Sequence, residues 1–414
     1  MTPAGWDAAE RTARESYGRL VAWLAYRWRD VAAAEDALSE AFAKALTRWP
    51  IDGIPASPEG WLMTTARREL LQRERHARVE RDPRVLALFD DEAVAPEEPA
   101  LPDERLKLMF VCAHPSLSPS VHAPLMLQAV LGIDAKDIAQ AFMVSPAAMA
   151  QRLVRAKAKI RDAGLRFEEP EQSELPARFG AVLESIYGAY TIGSNTAVLG
   201  PEAAQPPVVS GLRAEALYLC RLVVMLQPDH AETLGLLALM LHCEARWPAQ
   251  YDAAGHFVPL TAQNTGLWDR AQMAEAERCL TLAAQQRQPG SFQLEAAIHS
   301  AHGQRAFTGQ TPWLAIAHLY GLLVAHFPST GACIGQAVAR AEAGEVAAGL
   351  AQLRALPDSD IAASQPYWVA RAYLERQAGD PQAAHSALQR ALGLTADPRV
   401  QAHLRAAAQA ATAL

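Results

Sequence analysis

The sequence predicts an all-α protein, built as two small helical domains followed by a long array of helix pairs. Three observations predict it. Half of the 414 residues are hydrophobic while aromatic residues are only 7%, and Ala and Leu recur throughout. Apolar residues return at helical spacing in segment after segment. Near the C-terminus, Gly344 and Gly379 mark equivalent turns of a repeated helix pair.

Taken in order, residues 7–30 read as a helix with Trp23, Leu24 and Trp28 on its apolar side. Residues 33–48 read as a second, in which Leu38, Phe42, Ala45 and Trp49 share one face. Its opposite side carries Glu35, Asp36, Ser39 and Glu40, either a patch for a basic partner or a solvated helix face. The segment from Pro50 to Pro58 is rich in turn formers and reads as a loop. A third helix follows from Glu59 to about Arg78, with Leu62, Ala66 and Leu70 inside. Arg67, Arg68, Arg73 and Arg75 lie outside, where arginines neutralise phosphates. Trp61 fits either a stacking platform for an unpaired base or the core. These elements make a first domain over residues 1–82.

Residues 83–103 are acidic and spaced by prolines, the composition of a linker. A second domain, 104–168, begins with helices over 104–113 and 119–131. A short helix then starts at Asp134, with Ile138, Ala139 and Phe142 on its apolar side. Only Met143 and Val144 separate it from Ser145, which suits an N-cap, and Pro146, which suits the first helical position. Met149, Leu153, Ala156 and Ile160 form one stripe of the helix that follows, and Arg152, Arg155, Lys157, Lys159 and Arg161 occupy the rest. Two short helices so closely joined make a helix-turn-helix, whose second helix enters a major groove. An ordinary hairpin with a solvated basic face would share the pattern.

A polar break from Glu168 to Pro176 closes this half, and residues 176–414 continue as helices with no basic cluster. Trp368, Ala372, Gly379, Ala384, Leu388 and Ala391 stand where a tetratricopeptide repeat places large, small, turn and packing residues. Cys333, Ala337, Gly344, Gly349 and Leu353 form a weaker copy, and Ala216, Cys220, Pro228, Leu234 and Ala238 a third candidate. Residues 251–259 read as a turn or short hairpin. Such arrays stack because each pair buries its apolar face only against the next.

The net charge of −7 argues weakly against a nucleic-acid partner, because the charge is uneven. Residues 146–161 hold five basic groups and no acid, whereas 90–104 hold seven acids and no base. The five cysteines are scattered without CxxC spacing, so neither a disulfide framework nor a metal site is indicated. Cys112 with His114, and Glu295 with His299, are too few ligands for a metal. No cofactor loop, nucleophile elbow or paired-carboxylate context recommends catalysis. Neither a signal pattern nor a membrane-spanning run is visible, and the expectation is a cytoplasmic protein that is not an enzyme.

The pieces together resemble the extracytoplasmic-function sigma factors of bacterial RNA polymerase, in the branch with a tetratricopeptide-like C-terminal extension. The resemblance rests on Ala34 to Phe42, Trp61 to Arg68, Pro102 to Phe110, Cys112 to Pro115 and Met149 to Lys157, and in the extension on Trp268 to Arg270, Gln293 to Ile298 and Leu319 to Leu323. It implies core RNA polymerase and promoter DNA as partners. By position, Glu35, Asp36 and Glu40 would touch the polymerase clamp, and the loop Asp52 to Pro58 would hold an extruded −10 base, flanked by Arg67, Arg68, Arg73 and Arg75. Ser145, Gln151, Arg152, Arg155, Lys157 and Lys159 would meet the −35 element, Gln151 and Arg155 at base edges and Arg152, Lys157 and Lys159 at phosphates. The chain departs from the family at Arg68 and Gln72, where Asn and Asp are usual. It departs again at Ala147 and Ala150, where longer polar residues are common, which shifts the expected readout toward thymine methyls and DNA shape. The extension is expected to bind an unidentified protein or peptide and to regulate activity. The alternative is a repeat-based interaction scaffold whose sigma-like front end lacks promoter activity.

Overall fold

The computed structural model describes residues 3–81, 103–142, 144–171, 173–196, 207–253, 255–395 and 398–412. The acidic linker expected over 83–103 therefore lies outside the described residues except for Asp103, and Glu104 beside it is folded. Asp103 accepts two hydrogen bonds from Arg105 Nε, at 2.9 and 3.2 Å, and Glu104 is buried beside Lys107. The described residues are helical throughout, apart from turns and one isolated antiparallel bridge between Tyr251 and Phe257. That bridge is the hairpin expected there. Two compact units result, one ending and the other beginning within the helix Pro207–Leu226.

Unit 1 opens with α1 (Pro3–Trp28), α2 (Val31–Asp52) and α3 (Pro58–Arg81). Arg29 makes the α1–α2 link in the left-handed region at φ 56°, and the Asp30 carboxylate accepts the Ala33 N–H at 3.0 Å to start α2. The helix passes through Pro50 and ends at Gly53, φ 91°, so the loop expected from Pro50 is only 53–57. Pro50 leaves that last turn one ladder bond short, since it has no N–H to offer the carbonyl four residues back. α2 packs against α3, and Leu38, Ala45 and Trp49 of the first and Leu62, Ala66 and Leu70 of the second are all nearly inaccessible. Trp61 packs edge-on against Trp49 at 5.6 Å, which places it in the core seam.

The same unit continues through α4 (Arg105–Cys112), α5 (Pro119–Leu131), α6 (Ala135–Ala141), α7 (Pro146–Asp162), α8 (Leu175–Thr196) and the first half of α9 (Pro207–Leu226). α5 is the hub, touching α1, α4, α6, α7 and α8. α8 is fixed to it by an edge-on contact of Phe179 with Phe110 at 5.0 Å and by Arg178, which donates to the Phe110 carbonyl at 2.5 Å. The extension expected from residue 176 therefore begins later, because α8 completes the core of the first unit.

Unit 2 runs from Leu217 through α10 (Ala231–Arg246), α11 (Arg270–Gln285), α12 (Ser291–Gly303), α13 (Arg305–Thr308), α14 (Trp313–His326), α15 (Thr330–Glu342), α16 (Val346–Arg354), α17 (Asp358–Ile361), α18 (Gln365–Gln377), α19 (Pro381–Gly393) and α20 (Pro398–Thr412). The Glu232 carboxylate caps α12 by accepting the N–H groups of Phe292 and Gln293 at 3.0 and 3.1 Å. Gly344 and Gly379 take φ values of 102° and 84° at the turns of α15–α16 and α18–α19, which explains their shared register. Gly349 is required for a different reason, since a β-carbon there would lie 2.4 Å from the Ala337 carbonyl oxygen. Ala337, Leu353, Tyr367, Trp368, Leu374, Leu388 and Ala391 share one core beneath these pairs.

Candidate nucleic-acid interface

The candidate surface is built on α6 and α7. Asp134 starts α6 by accepting the Lys136 N–H at 2.8 Å, and Ile138 and Ala139 turn inward. Ser145 Oγ accepts the Ala148 N–H at 3.2 Å, so this hydroxyl, expected at DNA, is already used as the α7 cap. Met149, Leu153, Ala156 and Ile160 are buried, as their spacing requires. The outward face consequently presents Ala147, Ala150, Gln151, Val154 and Arg155, all exposed.

The five cations of α7 are spent unequally. Arg152 and Arg155 are exposed and have no partner among the described residues. Lys159 Nζ donates to the Ser116 carbonyl, and Arg161 lies 2.9 Å from Asp162. Lys157 corrects the expectation of a uniformly solvated basic surface. It is buried and donates to Glu35 of α2, their side chains being 10% and 12% exposed. Burial pushes the Glu35 carboxyl above the usual carboxylate range, against the opposing pull of the Lys157 charge. The pair could not be read from the sequence, because its members are far apart and each looks like a solvated helix residue. The one available signal was Lys157 itself, one position past the buried Ala156.

The other expected contacts are dispersed over the first three helices. Glu40 is exposed, whereas Asp36 stands 3.3 Å from Arg73 in a solvent-facing pair. Arg68 and Arg75 are exposed on α3, and Arg67 is partly buried. Sequence reasoning missed Ile51 and Ile54, 80% and 45% exposed on either side of Gly53, where the loop leaves α2. It also missed Val154, 65% exposed at the centre of the outer α7 face. An apolar residue at a position opposite the buried stripe was the signal.

In unit 2, an open groove of about 370 Å³ runs between α14 and α15. Leu314, Ala317, Gly321 and Leu322 line one side, and Gln336 and Arg340 the other. Beside α12, His299 Nδ1 faces Arg246 and stands 3.9 Å from Cys243 Sγ. No group of three or more His, Cys, Asp or Glu suited to a metal occurs among the described residues.

Residues 14–79 match the model of sigma-70 region 2, covering α1 to α3. A second match is 29% identical over 214 residues to the probable RNA polymerase sigma factor RfaY of Xanthomonas campestris, covering 48% of this chain and 51% of that protein. The first three helices therefore carry a sigma-70 region 2 domain. The chain is also 34% identical over 419 residues to the uncharacterized protein R00370 of Rhizobium meliloti, with 98% of this chain and 96% of the relative aligned. Residues 178–284 match a family of unknown function (DUF6596), a range that includes the end of the first unit and the start of the second. No solved structure shows significant similarity. Among the described residues, no helix is long and apolar enough to cross a membrane.

Proposed function

We propose that this chain is an alternative sigma factor of the extracytoplasmic-function type, which directs core RNA polymerase to promoters with −35 and −10 elements. It acts by binding, without catalysis, in the cytoplasm where its DNA lies. The observation that carries the reading is the outer face of α7, where Arg152 and Arg155 remain uncommitted in a chain that matches sigma-70 region 2. α6 and α7 act as a helix-turn-helix, with α7 in the major groove of the −35 element. Gln151 suits an adenine edge and Val154 a thymine methyl, while Arg152 and Arg155 take a phosphate and a base. The loop after α2, flanked by Ile51 and Ile54, receives the melted −10 strand, and Glu40 with Asp36 faces the polymerase.

Unit 2 is the regulatory part, a tetratricopeptide-like array whose groove between α14 and α15 accepts a peptide of the inducing partner. The test is run-off transcription from a genomic library by core enzyme reconstituted with the full chain. Promoter-specific transcripts are expected, and their absence alongside normal polymerase binding would refute promoter recognition. Truncation belongs after Ala216 rather than at 176, since α8 is part of unit 1. Unaltered transcription after that truncation would remove the regulatory role.

A second reading, an interaction scaffold without promoter activity, is favoured by one observation. Ala147, Ala150 and Val154 leave the groove-facing surface short of polar groups, and Ser145 is engaged as a cap. Co-purification with core polymerase and no promoter-specific transcript would select it.

A further inference from the structure

Arg246 closes α10 and is 8% exposed, yet folding gives its charge no counterpart. Nη2 donates to His299 Nδ1 of α12 and stands 3.9 Å from Cys243 Sγ. Nη1 is buried and meets no acceptor. No carboxylate among the described residues forms an ion pair with this guanidinium. Elsewhere in unit 2, Arg354 and Arg371 share the buried Glu375, and Arg305 is taken up by two backbone carbonyls. A cation withdrawn from water without either kind of partner is far more expensive to keep.

The groups around it do not supply the charge. α12 packs against both α10 and α14, and its Glu295, His299 and His302 lie at i, i+4 and i+7 along one side, each partly exposed. Burial and then the Arg246 charge hold His299 well below its usual range and His302 at about 4, so both rings are neutral near pH 7. Burial and the Glu232 charge push the Glu295 carboxyl up, and it forms no pair with Arg246. α14 adds Trp313, edge-on to His302 at 5.3 Å, and Tyr320, near enough for the Arg246 charge to act on its hydroxyl.

We infer that this cluster is a binding site for a small oxyanion, a carboxylate or inorganic phosphate, held by Arg246 with His302 and Tyr320 as further donors. The guanidinium brings the positive charge and the unused N–H groups of Nη1. The neutral imidazole and the phenol bring an N–H and an O–H, both of which an anion accepts. The partly exposed stripe of α12 is the approach from solvent. Once bound, the anion ties α10, α12 and α14 together at one point and stabilises unit 2. The site lies wholly within unit 2 and does not depend on promoter recognition.

Thermal unfolding of the full chain, followed by circular dichroism, tests the site with sodium phosphate and with sodium acetate, each against chloride at equal ionic strength. An anion at a hundred times its Kd should raise the melting temperature by about 5–10 °C. Whichever of the two does so identifies the class of ligand. Arg246→Met should raise the melting temperature in chloride, because it removes an unpaired charge, and should abolish the response to the anion. Phosphate also favours compact states by exclusion from protein surfaces, and it can settle on Arg152 and Arg155, but both effects persist in Arg246→Met. Equal shifts in that variant and the wild type would therefore overturn the site, as would no shift with either anion. Should Arg246→Met not fold, Tyr320→Phe and His302→Phe each remove one donor and should each weaken the apparent affinity at least about tenfold. Unchanged affinity in both would overturn the site equally.

Discussion

In unit 2, Arg354 donates to both oxygens of Glu375 at 3.0 and 2.9 Å, and Arg371 Nε reaches the same carboxylate at 3.3 Å. Arg390 lies 4.5 Å over the Trp368 ring, and Arg305 donates to the Thr261 and Gln263 carbonyls. On α7, by contrast, Arg152 and Arg155 stand in solvent with nothing opposite them among the described residues. A guanidinium neutralised by folding belongs to the architecture, whereas one left bare keeps its planar fork for a phosphate or a base edge. The whole-chain charge of −7 concealed this difference. What matters for a polyanion is which cations folding leaves unspent.

The strongest way to break the comparison is to remove cations that ought to be architectural. Arg354→Ala with Arg371→Ala strands Glu375, whose side chain is 1% exposed, without a counter-charge. A buried charge that loses its partner costs about 3–5 kcal/mol, and the half-exposed Arg354 places this case at the lower end. Denaturant unfolding should show that loss, while duplex affinity stays unchanged. Adding Glu375→Gln to the pair should recover much of it, because a neutral amide tolerates the site better.

A buried imidazole in unit 2 also predicts a pH dependence. Burial, with Arg246 and Arg305 nearby, pulls His302 down to about 4, and its ring packs edge-on to Trp313 at 5.3 Å. The unfolded chain binds the proton near 6.5 and the folded chain only near 4, so stability is lost as pH falls through that window. The slope is about 1.4 kcal/mol per pH unit, or about 3 kcal/mol across it. His302→Phe keeps the ring contact and removes the titration, so its melting temperature should fall less between pH 7 and pH 4.5. An identical fall in both proteins would place the acid sensitivity elsewhere, with His299 the next group to replace because burial depresses it in the same direction.

Much of this organisation was legible in advance. Leu62, Ala66 and Leu70 are buried, as are Met149, Leu153, Ala156 and Ile160, because helical spacing alone decides which side chains can share a face. The turn glycines Gly344 and Gly379 were legible for a similarly local reason. Long-range partnerships were not. Nothing local distinguishes Lys157 from Lys159, yet one meets Glu35 and the other a backbone carbonyl. The place of α8 was hidden for the same reason, since its assignment depends on Phe179 meeting Phe110 across the chain. Pro50 misled the reading of the α2 terminus because a proline in a final turn is compatible with helix as well as with loop.

The bare arginines give the next smaller effect. Arg155→Ala should weaken duplex binding by about 1–3 kcal/mol and relax discrimination at one base pair, as expected for a base-edge contact. Arg152→Ala should weaken all sequences alike and reduce the slope of log affinity against log salt by about 0.9, the value for one phosphate. Titrations of the intended site and a scrambled duplex at several salt concentrations separate the two. If both variants lose affinity equally on both duplexes, α7 lies along the backbone and does not read the groove.

Lys159→Ala sharpens the comparison at its smallest scale. The ammonium already donates to the Ser116 carbonyl, yet that partner is neutral and leaves the charge itself uncompensated. Its position on the outer surface beside Arg155 keeps it within the field that a phosphate feels, but its hydrogen-bond geometry is committed. The salt slope should therefore change by well under the 0.9 expected for Arg152→Ala, because counterion release requires the cation to sit at the phosphate. An equal drop in the two variants would show that a carbonyl does not hold a lysine against DNA. Only carboxylate partners, such as Glu35 for Lys157, would then count as taking a cation out of service.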